Sequence, residues 1–454
     1  MDIGFWGLEI NHQDHLVFGG CDLVELAHRY ETPLHVVDGT RLRLNYQTFS
    51  EAFQNSYPKV KVFYSYKTNS VPGVLALLHE IGCGAEVISP YELWLALQIG
   101  AAPSAIIYNG VNKSSEDLLR GIDAGVGLIN IDSIAEVQRL VQAAQQVQRK
   151  VNVGIRIDPG VGWKAQFGVQ PRNQMAAVVA NLRGSDILKL CCVHAHIGSS
   201  IRDTRLFARA IEEITVCAAD LQDRFGYEIE ALDLGGGFGL PTVKALTLAE
   251  TALYKVLNRA PREPAVKNCP SITDLGKEMA GYLKDRCIHY GLREPSLFLE
   301  PGRALTSSAQ VLLVTVKDIK KSRNGRRFAL TDGGMQNVAF PLSYEYHHSF
   351  LTNRARARRT ERYFVTGPLC SPEDLLYRNW KFPALQCGDV LAIMDAGAYF
   401  ISFSNSFSFP KPAIVLVSKG NHQVIRMRES FDQMVAMDRF SGASMEREAT
   451  QPPR

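Results

Sequence analysis

The sequence predicts an α/β protein in which a (β/α)8 barrel is followed by an all-β, Greek-key-like domain. Three observations carry that expectation. Between about residue 34 and residue 300, short apolar runs alternate with stretches whose apolar residues recur every three and four positions, the pattern of repeated strand–helix units. Glycines and polar residues cluster after several separate runs. A site built from many loops on one barrel rim requires this, whereas a doubly wound sheet concentrates them after its first strand. From Arg303 onward helical periodicity becomes scarce and β-type runs take over.

In chain order, residues 1–33 contain a strand-like piece, Leu16-Val17-Phe18, and are expected to pack with the β domain. The barrel is assigned to 34–302. Its candidate strands are Leu34 to Val37, Val60 to Tyr64, Ala85 to Val87, Ala105 to Tyr108, Gly127 to Ile131, Val151 to Ile157, Lys189 to His196, Ala231 to Leu234 and Ser296 to Leu299. Helices are expected between them, among others at Glu92 to Gly100, Ser133 to Arg149 and Phe207 to Phe225. Residues 241–275, rich in Pro, Lys and Arg, read as an inserted loop or helix. The β domain, 303–438, holds runs at Val311 to Lys317, Arg327 to Thr331, Tyr363 to Val365, Asp389 to Met394 and Ala413 to Ser418, with Asn324-Gly325 as a hairpin turn. The polar, Pro-bearing end, 439–454, is expected to be disordered.

Composition narrows the function classes. Of 454 residues, 46% are hydrophobic and 21% charged, ordinary for a globular chain with room for two domains. No run approaches the roughly 18 apolar residues of a membrane span, and Met1 to Trp6 lacks a basic segment leading into an apolar one, so a cytoplasmic protein without membrane contact is expected. Nine cysteines at irregular spacing, without paired Cys-x-x-Cys knuckles, indicate free thiols in a reducing compartment. A net charge of +4 is too slight to imply nucleic acid.

The chemistry-bearing residues stand at the ends of apolar runs. Val62-Phe63-Tyr64-Ser65-Tyr66 stops on Lys67. A strand-end lysine usually snorkels into water, but in apolar surroundings desolvation disfavours its ammonium and leaves an amine able to form a Schiff base. In His194-Ala195-His196-Ile197-Gly198-Ser199-Ser200, alternation puts both histidines on one strand face. No third ligand with suitable spacing is apparent, so no metal is expected; a flat imidazole suits stacking on an aromatic cofactor. Gly235-Gly236-Gly237 can bring backbone N–H groups against phosphate oxygens, but its spacing is neither the Walker nor the dinucleotide fingerprint. Glu300-Pro301-Gly302-Arg303 is most simply an ion pair. In a site for pyridoxal phosphate, such a carboxylate would keep the pyridine nitrogen protonated. In the β domain, Gly367-Pro368-Leu369-Cys370 precedes Asp395-Ala396-Gly397-Ala398-Tyr399.

Taken in order, these motifs resemble the fold-type III pyridoxal phosphate decarboxylases, which act on diaminopimelate, ornithine and arginine, and most closely the diaminopimelate branch. The resemblance runs from about Asp22 to Val417. It implies a homodimer with shared active sites. Lys67 would hold pyridoxal 5'-phosphate as a Schiff base, His196 would stack on the ring, and Ser199 with Gly235, Gly236 and Gly237 would bind the phosphate. Glu300 would pair with the pyridine nitrogen, with Gly302 beside it; Arg303 would reach the phosphate or a substrate carboxylate, and Tyr399 the phosphate end. Glu86 falls where the family usually has aspartate. Cys370 of the partner subunit would protonate the quinonoid carbon after CO2 leaves.

Two positions depart from the family pattern. Phe340 stands where the diaminopimelate branch carries an arginine for the distal carboxylate, and Ser371 where the family has a glutamate or aspartate for the distal ammonium. Losing a charge partner in a buried site costs several kcal/mol while the substrate charge remains. An amino acid with a less charged distal end, such as an amide or a hydroxylated or apolar one, or an aminoacyl group on a carrier protein, is therefore expected, with Tyr344 as a further contact. Diaminopimelate is the alternative substrate, and an amino-acid racemase or a silent regulatory homologue the alternative role. Arg354-Ala355-Arg356-Ala357-Arg358-Arg359 reads as a solvated face or, less commonly, as a dock for an acidic carrier protein.

Overall fold

A computed structural model describes residues 1–163, 166–183, 185–338 and 341–439. Eight parallel strands close into a barrel in sequence order: Val60–Ser65, Gly84–Val87, Ile106–Tyr108, Leu128–Ile131, Val151–Arg156, Leu188–His194, Ala231–Asp233 and Ser296–Leu299. The last strand pairs back onto the first, with Leu297 opposite Val60. Most residues of these strands are buried, because the interior side chains fill the barrel and the outer ones lie under helices.

The helices start where polar caps follow the strands. Ser133 accepts the Glu136 N–H at the head of Ile134–Val147, and Ser89 accepts that of Glu92 at the head of Pro90–Gln98. In Thr204–Phe225, Phe207, Ile211, Ile214, Ala218 and Leu221 are buried, one stripe at helical spacing packed onto the barrel.

Leu34–Asp38, expected to open the barrel, belongs to the β domain. It runs antiparallel to Gln310–Lys321, Leu313 opposite Leu34, and parallel to Ala413–Ser418, Ala413 opposite Leu34. All five of its residues are buried. A continuous apolar run fits a barrel and a sheet covered on both faces equally well, so periodicity cannot assign it. The chain enters the barrel only at Val60, after the helix Gly39–Gln54. The same sheet continues from Gln310–Lys321 to Arg327–Thr331, Glu361–Thr366 and Leu375–Phe382. Asn324-Gly325 lies in the expected hairpin, with Lys321 opposite Arg327 and Gly325 at φ +81°.

Glu9–Ile10, Leu16–Phe18 and Cys21–Asp22 form a small sheet of their own. Leu16, Phe18 and Trp6 pack in one core with Val311, Leu313 and Val415, which fastens the N-terminal segment to the β domain. The 241–275 segment contains the strand Lys244–Ala245, paired with Glu345–Tyr346, and the helix Leu248–Leu257. In the arginine run Arg354 bonds Asp389 at 2.5 Å, Arg356 bonds Asp14 at 3.1 Å and Arg359 donates to Ser349 O and His348, while Arg356 and Arg358 are exposed. Among the described residues no helix is long and apolar enough to cross a membrane. The tail from residue 440 and Phe340 lie outside the described residues.

Candidate active site

The carboxyl ends of the barrel strands deliver their side chains to one rim. Lys67 sits in a 3-10 turn, Tyr66–Thr68, directly after the first strand. Its ammonium donates to Glu86 on the second strand, which also accepts from Ser65 Oγ and, at 3.0 Å, from Asn109 Nδ2. Burial acts to lower the Lys67 pKa, but Glu86 and then Glu300 outweigh it and hold it above the usual value. The lysine is therefore not discharged by an apolar wall, as its sequence setting suggested; the Glu86 carboxylate beside it keeps it charged. The same pairing, against the effect of burial, keeps Glu86 below the ordinary range.

Asn109 links the two acids, donating to Glu300 at 2.6 Å, and itself accepts from Asn130 Nδ2 at 2.8 Å. His194 Nε2 lies 3.7 Å from Glu300, and neither nitrogen of this buried ring has a hydrogen-bond partner. Asp233 completes the group: His194, Asp233 and Glu300 bring ligand atoms within 4.8 Å of one another. Burial, reinforced by neighbouring carboxylates, pushes Glu300 well above the carboxylate range; Asp233 rises to about 7, chiefly through burial. Burial likewise drives His194 well below its usual value. The cluster answers burial by staying neutral, and Glu300 is left as a carboxylic acid able to give a proton to a ring nitrogen.

These groups open onto a cavity of about 530 Å³ whose lining includes Lys67, Glu86, His196, Ser199, Gly237, Glu300, Gly302, Arg303, Tyr344 and Tyr399. Gly235 and Gly236 do not line it. Their N–H groups are committed to Asp233 Oδ1 at 2.8 Å and His196 Nδ1 at 3.1 Å, so they support the site where a phosphate cradle was expected. A Cβ on Gly236 would come within 2.3 Å of the Glu300 carbonyl oxygen, so only glycine lets these strand ends meet. His196 is lowered to about 3 by burial and meets Trp163 edge-on at 5.6 Å.

Arg303 heads the short helix Arg303–Thr306 and is held by a residue the sequence reading missed. Its two terminal nitrogens donate to Glu345 at 3.0 and 2.7 Å, and one lies 3.4 Å from Ser199 Oγ. Its Nε is buried without a partner. Tyr399, at φ +67°, lies under this guanidinium at 5.5 Å, and its N–H donates to Thr68 O, next to Lys67. Asn109, Asp233, Arg156, Trp163 and Glu345 also went unassigned; their contacts cross strand ends and carry no local motif. Cys370 is exposed, Ser371 is partly exposed, and neither lines the cavity of its own chain.

The donor set fits pyridoxal phosphate. The cavity combines an amine, a buried acid, a neutral imidazole, a serine hydroxyl and an arginine whose Nε lacks a partner. The description "pyridoxal-dependent decarboxylase, pyridoxal binding domain" matches residues 45–307. The chain is 35% identical to the diaminopimelate decarboxylase of Methanothermobacter thermautotrophicus, over 95% of this chain and 97% of that one. It is 30% identical to that of Halalkalibacterium halodurans, over 94% and 96%. A solved diaminopimelate decarboxylase of M. jannaschii has a TM-score of 0.84 at 30% identity, covering 97% of this chain and 99% of that one. The family match and the relatives' near-full-length similarity show that the chain belongs to the pyridoxal-dependent decarboxylase family.

Proposed function

We propose that Lys67, Glu300 and His196 form the catalytic centre of this pyridoxal phosphate-dependent amino-acid decarboxylase, and that diaminopimelate is its substrate. The observation that carries the proposal is the convergence of a carboxylate-paired lysine and a buried acid on one cavity. The relatives named above, matched over almost their full length, favour the substrate. When bound, pyridoxal phosphate supplies an electron sink for the pair left behind by departing CO2.

The chain's own residues do the rest. Lys67 offers the amine, and the Glu86 carboxylate holds its ammonium in place until that proton is given up. Glu300 places its proton toward a ring nitrogen, in a setting where burial makes that proton reluctant to leave for water. His196, neutral and fixed by the Gly236 N–H, offers a flat face. Ser199 and Gly237 face the cofactor's phosphate, and Arg303 is placed to meet that phosphate or a substrate carboxylate. Cys370, exposed in its own chain, is proposed to complete the site of a second copy and to protonate the carbon that lost CO2. The enzyme is proposed to work in the cytoplasm.

A second reading keeps the chemistry and changes the substrate: an amino acid, free or carrier-bound, whose far end has no free carboxylate. It is favoured by the occupation of the Arg303 fork by Glu345. Release of CO2 by the cofactor-loaded protein from meso-diaminopimelate, from lysine and from neutral D- and L-amino acids separates the two. Turnover fastest with diaminopimelate supports the first reading; no turnover of it beside ready turnover of an uncharged chain supports the second. Racemisation without CO2 would remove both.

A further inference from the structure

We infer that Glu345 is a specificity-determining residue: it serves as an internal counter-ion to Arg303 and sets how strongly the site discriminates against a carboxylate at the far end of a substrate. The inference rests on the decarboxylase reading above and deepens it.

The Arg303–Glu345 pair is a two-pronged, nearly buried contact, 3.0 and 2.7 Å, with side-chain exposures of 5% and 9%. Both partners line the cavity that holds Lys67. Each is fixed from its own side. Arg303 heads the helix that follows Glu300-Pro301-Gly302. Glu345 lies on a short strand paired with Lys244–Ala245, and His347 Nε2 stands 3.2 Å from its carboxylate. Burial alone would raise Glu345, yet Arg303 above all holds it at about 2, so its charge is present across the working pH range.

The fork geometry of a guanidinium matches one carboxylate at a time. A substrate bearing a distal carboxylate must expel Glu345 from Arg303 and leave a buried anion with only His347 beside it. Removing one partner from a buried pair is costly for that reason. A substrate with a neutral or cationic far end meets no such competitor.

The test compares diaminopimelate with lysine, which differ only in the distal carboxylate, in the cofactor-loaded parent and in Glu345→Gln. The ratio of kcat/KM for diaminopimelate to that for lysine should rise at least about tenfold in the variant, the size of one charge-assisted hydrogen bond regained. Calorimetric binding of pimelate, which has no amine to react, should tighten by a similar factor. An unchanged or falling ratio, or equal pimelate affinities, overturns the inference. If the parent releases CO2 from no amino acid, the decarboxylase reading fails while the pimelate titration still decides the role of Glu345. If Glu345→Gln does not fold, Glu345→Ser replaces it, read by the same kcat/KM ratio and the same pimelate titration against the parent; an unchanged ratio together with an unchanged pimelate affinity overturns the inference.

Discussion

Lys67 owes its charge chiefly to Glu86, and this makes the lysine's protonation a property of the carboxylate beside it. Glu86→Gln removes the strongest upward influence on the lysine, so its pKa should fall. The pH at which the cofactor-free protein captures pyridoxal phosphate should then move down, by roughly one unit or more. A midpoint that stays in place, read spectrophotometrically across a pH series, would show that Glu86 is not the controlling partner. Asp233 is shifted upward as well, but in an acid that shift favours the neutral form. Its folded value of about 7 lies above the unfolded value near 4, so the folded chain keeps a proton there that the unfolded chain releases. Stability from such a group is complete below the unfolded value and is lost as pH rises through the folded one. The cofactor-free protein should therefore lose stability between about pH 4 and pH 7 on this account, and Asp233→Asn should flatten the slope by roughly 2–6 °C in Tm. Parallel Tm–pH curves for parent and variant would refute it.

At the scale of elements, the loop opened by Asp395 joins the two domains at the site. Asp395 is fully buried at φ +60°, with its carboxylate bonded by Trp6 Nε1 at 2.9 Å and Thr242 Oγ1 at 3.1 Å. The loop continues through Gly397, which accepts from Asn69, to Tyr399, bonded to Thr68 O. Trp6→Phe keeps an aromatic side chain but strips one donor from a buried acid, which should cost roughly 1–3 kcal/mol. A lower Tm together with a kcat several-fold down is expected. A lower Tm with unaltered kcat would mean that the N-terminal turn stabilises the fold without positioning Tyr399. The elements also mark where sequence reading stops. Lys67, His196, Glu300 and Arg303 were legible because each closes an apolar run and announces itself locally. Their partners were not: Asn109 meets Glu300 across 191 positions, and Glu345 meets Arg303 across 42. Leu34–Asp38 was misassigned for a related reason, since burial on both faces erases the alternation that would tell a barrel strand from a central sheet strand. The glycine run was legible as a source of backbone N–H donors, but which of them remained free depended on Asp233 and His196.

For the molecule as a whole, the exposed position of Cys370 bears on assembly. The barrel supplies the amine, the acid and the imidazole to one cavity, and the β domain adds Glu345, Tyr344 and Tyr399, yet Cys370 and Ser371 sit outside it. If Cys370 serves a second copy of the chain, the functional unit is a symmetric dimer in which each site takes its lysine from one subunit and its thiol from the other. Lys67→Ala and Cys370→Ala should then each be nearly inactive alone, for different reasons. Unfolded or dissociated together and allowed to reassociate at random, half of the dimers formed would be mixed. Each mixed dimer would carry one site with both defects and one with neither, restoring roughly a quarter of the parental activity. Mixing the two inactive proteins without subunit exchange should restore nothing, which separates recombination from contamination. Recovered activity no greater than the sum of the two separate preparations would place the thiol's chemistry within a single chain or remove it from catalysis, and the shared-site dimer would have to be abandoned.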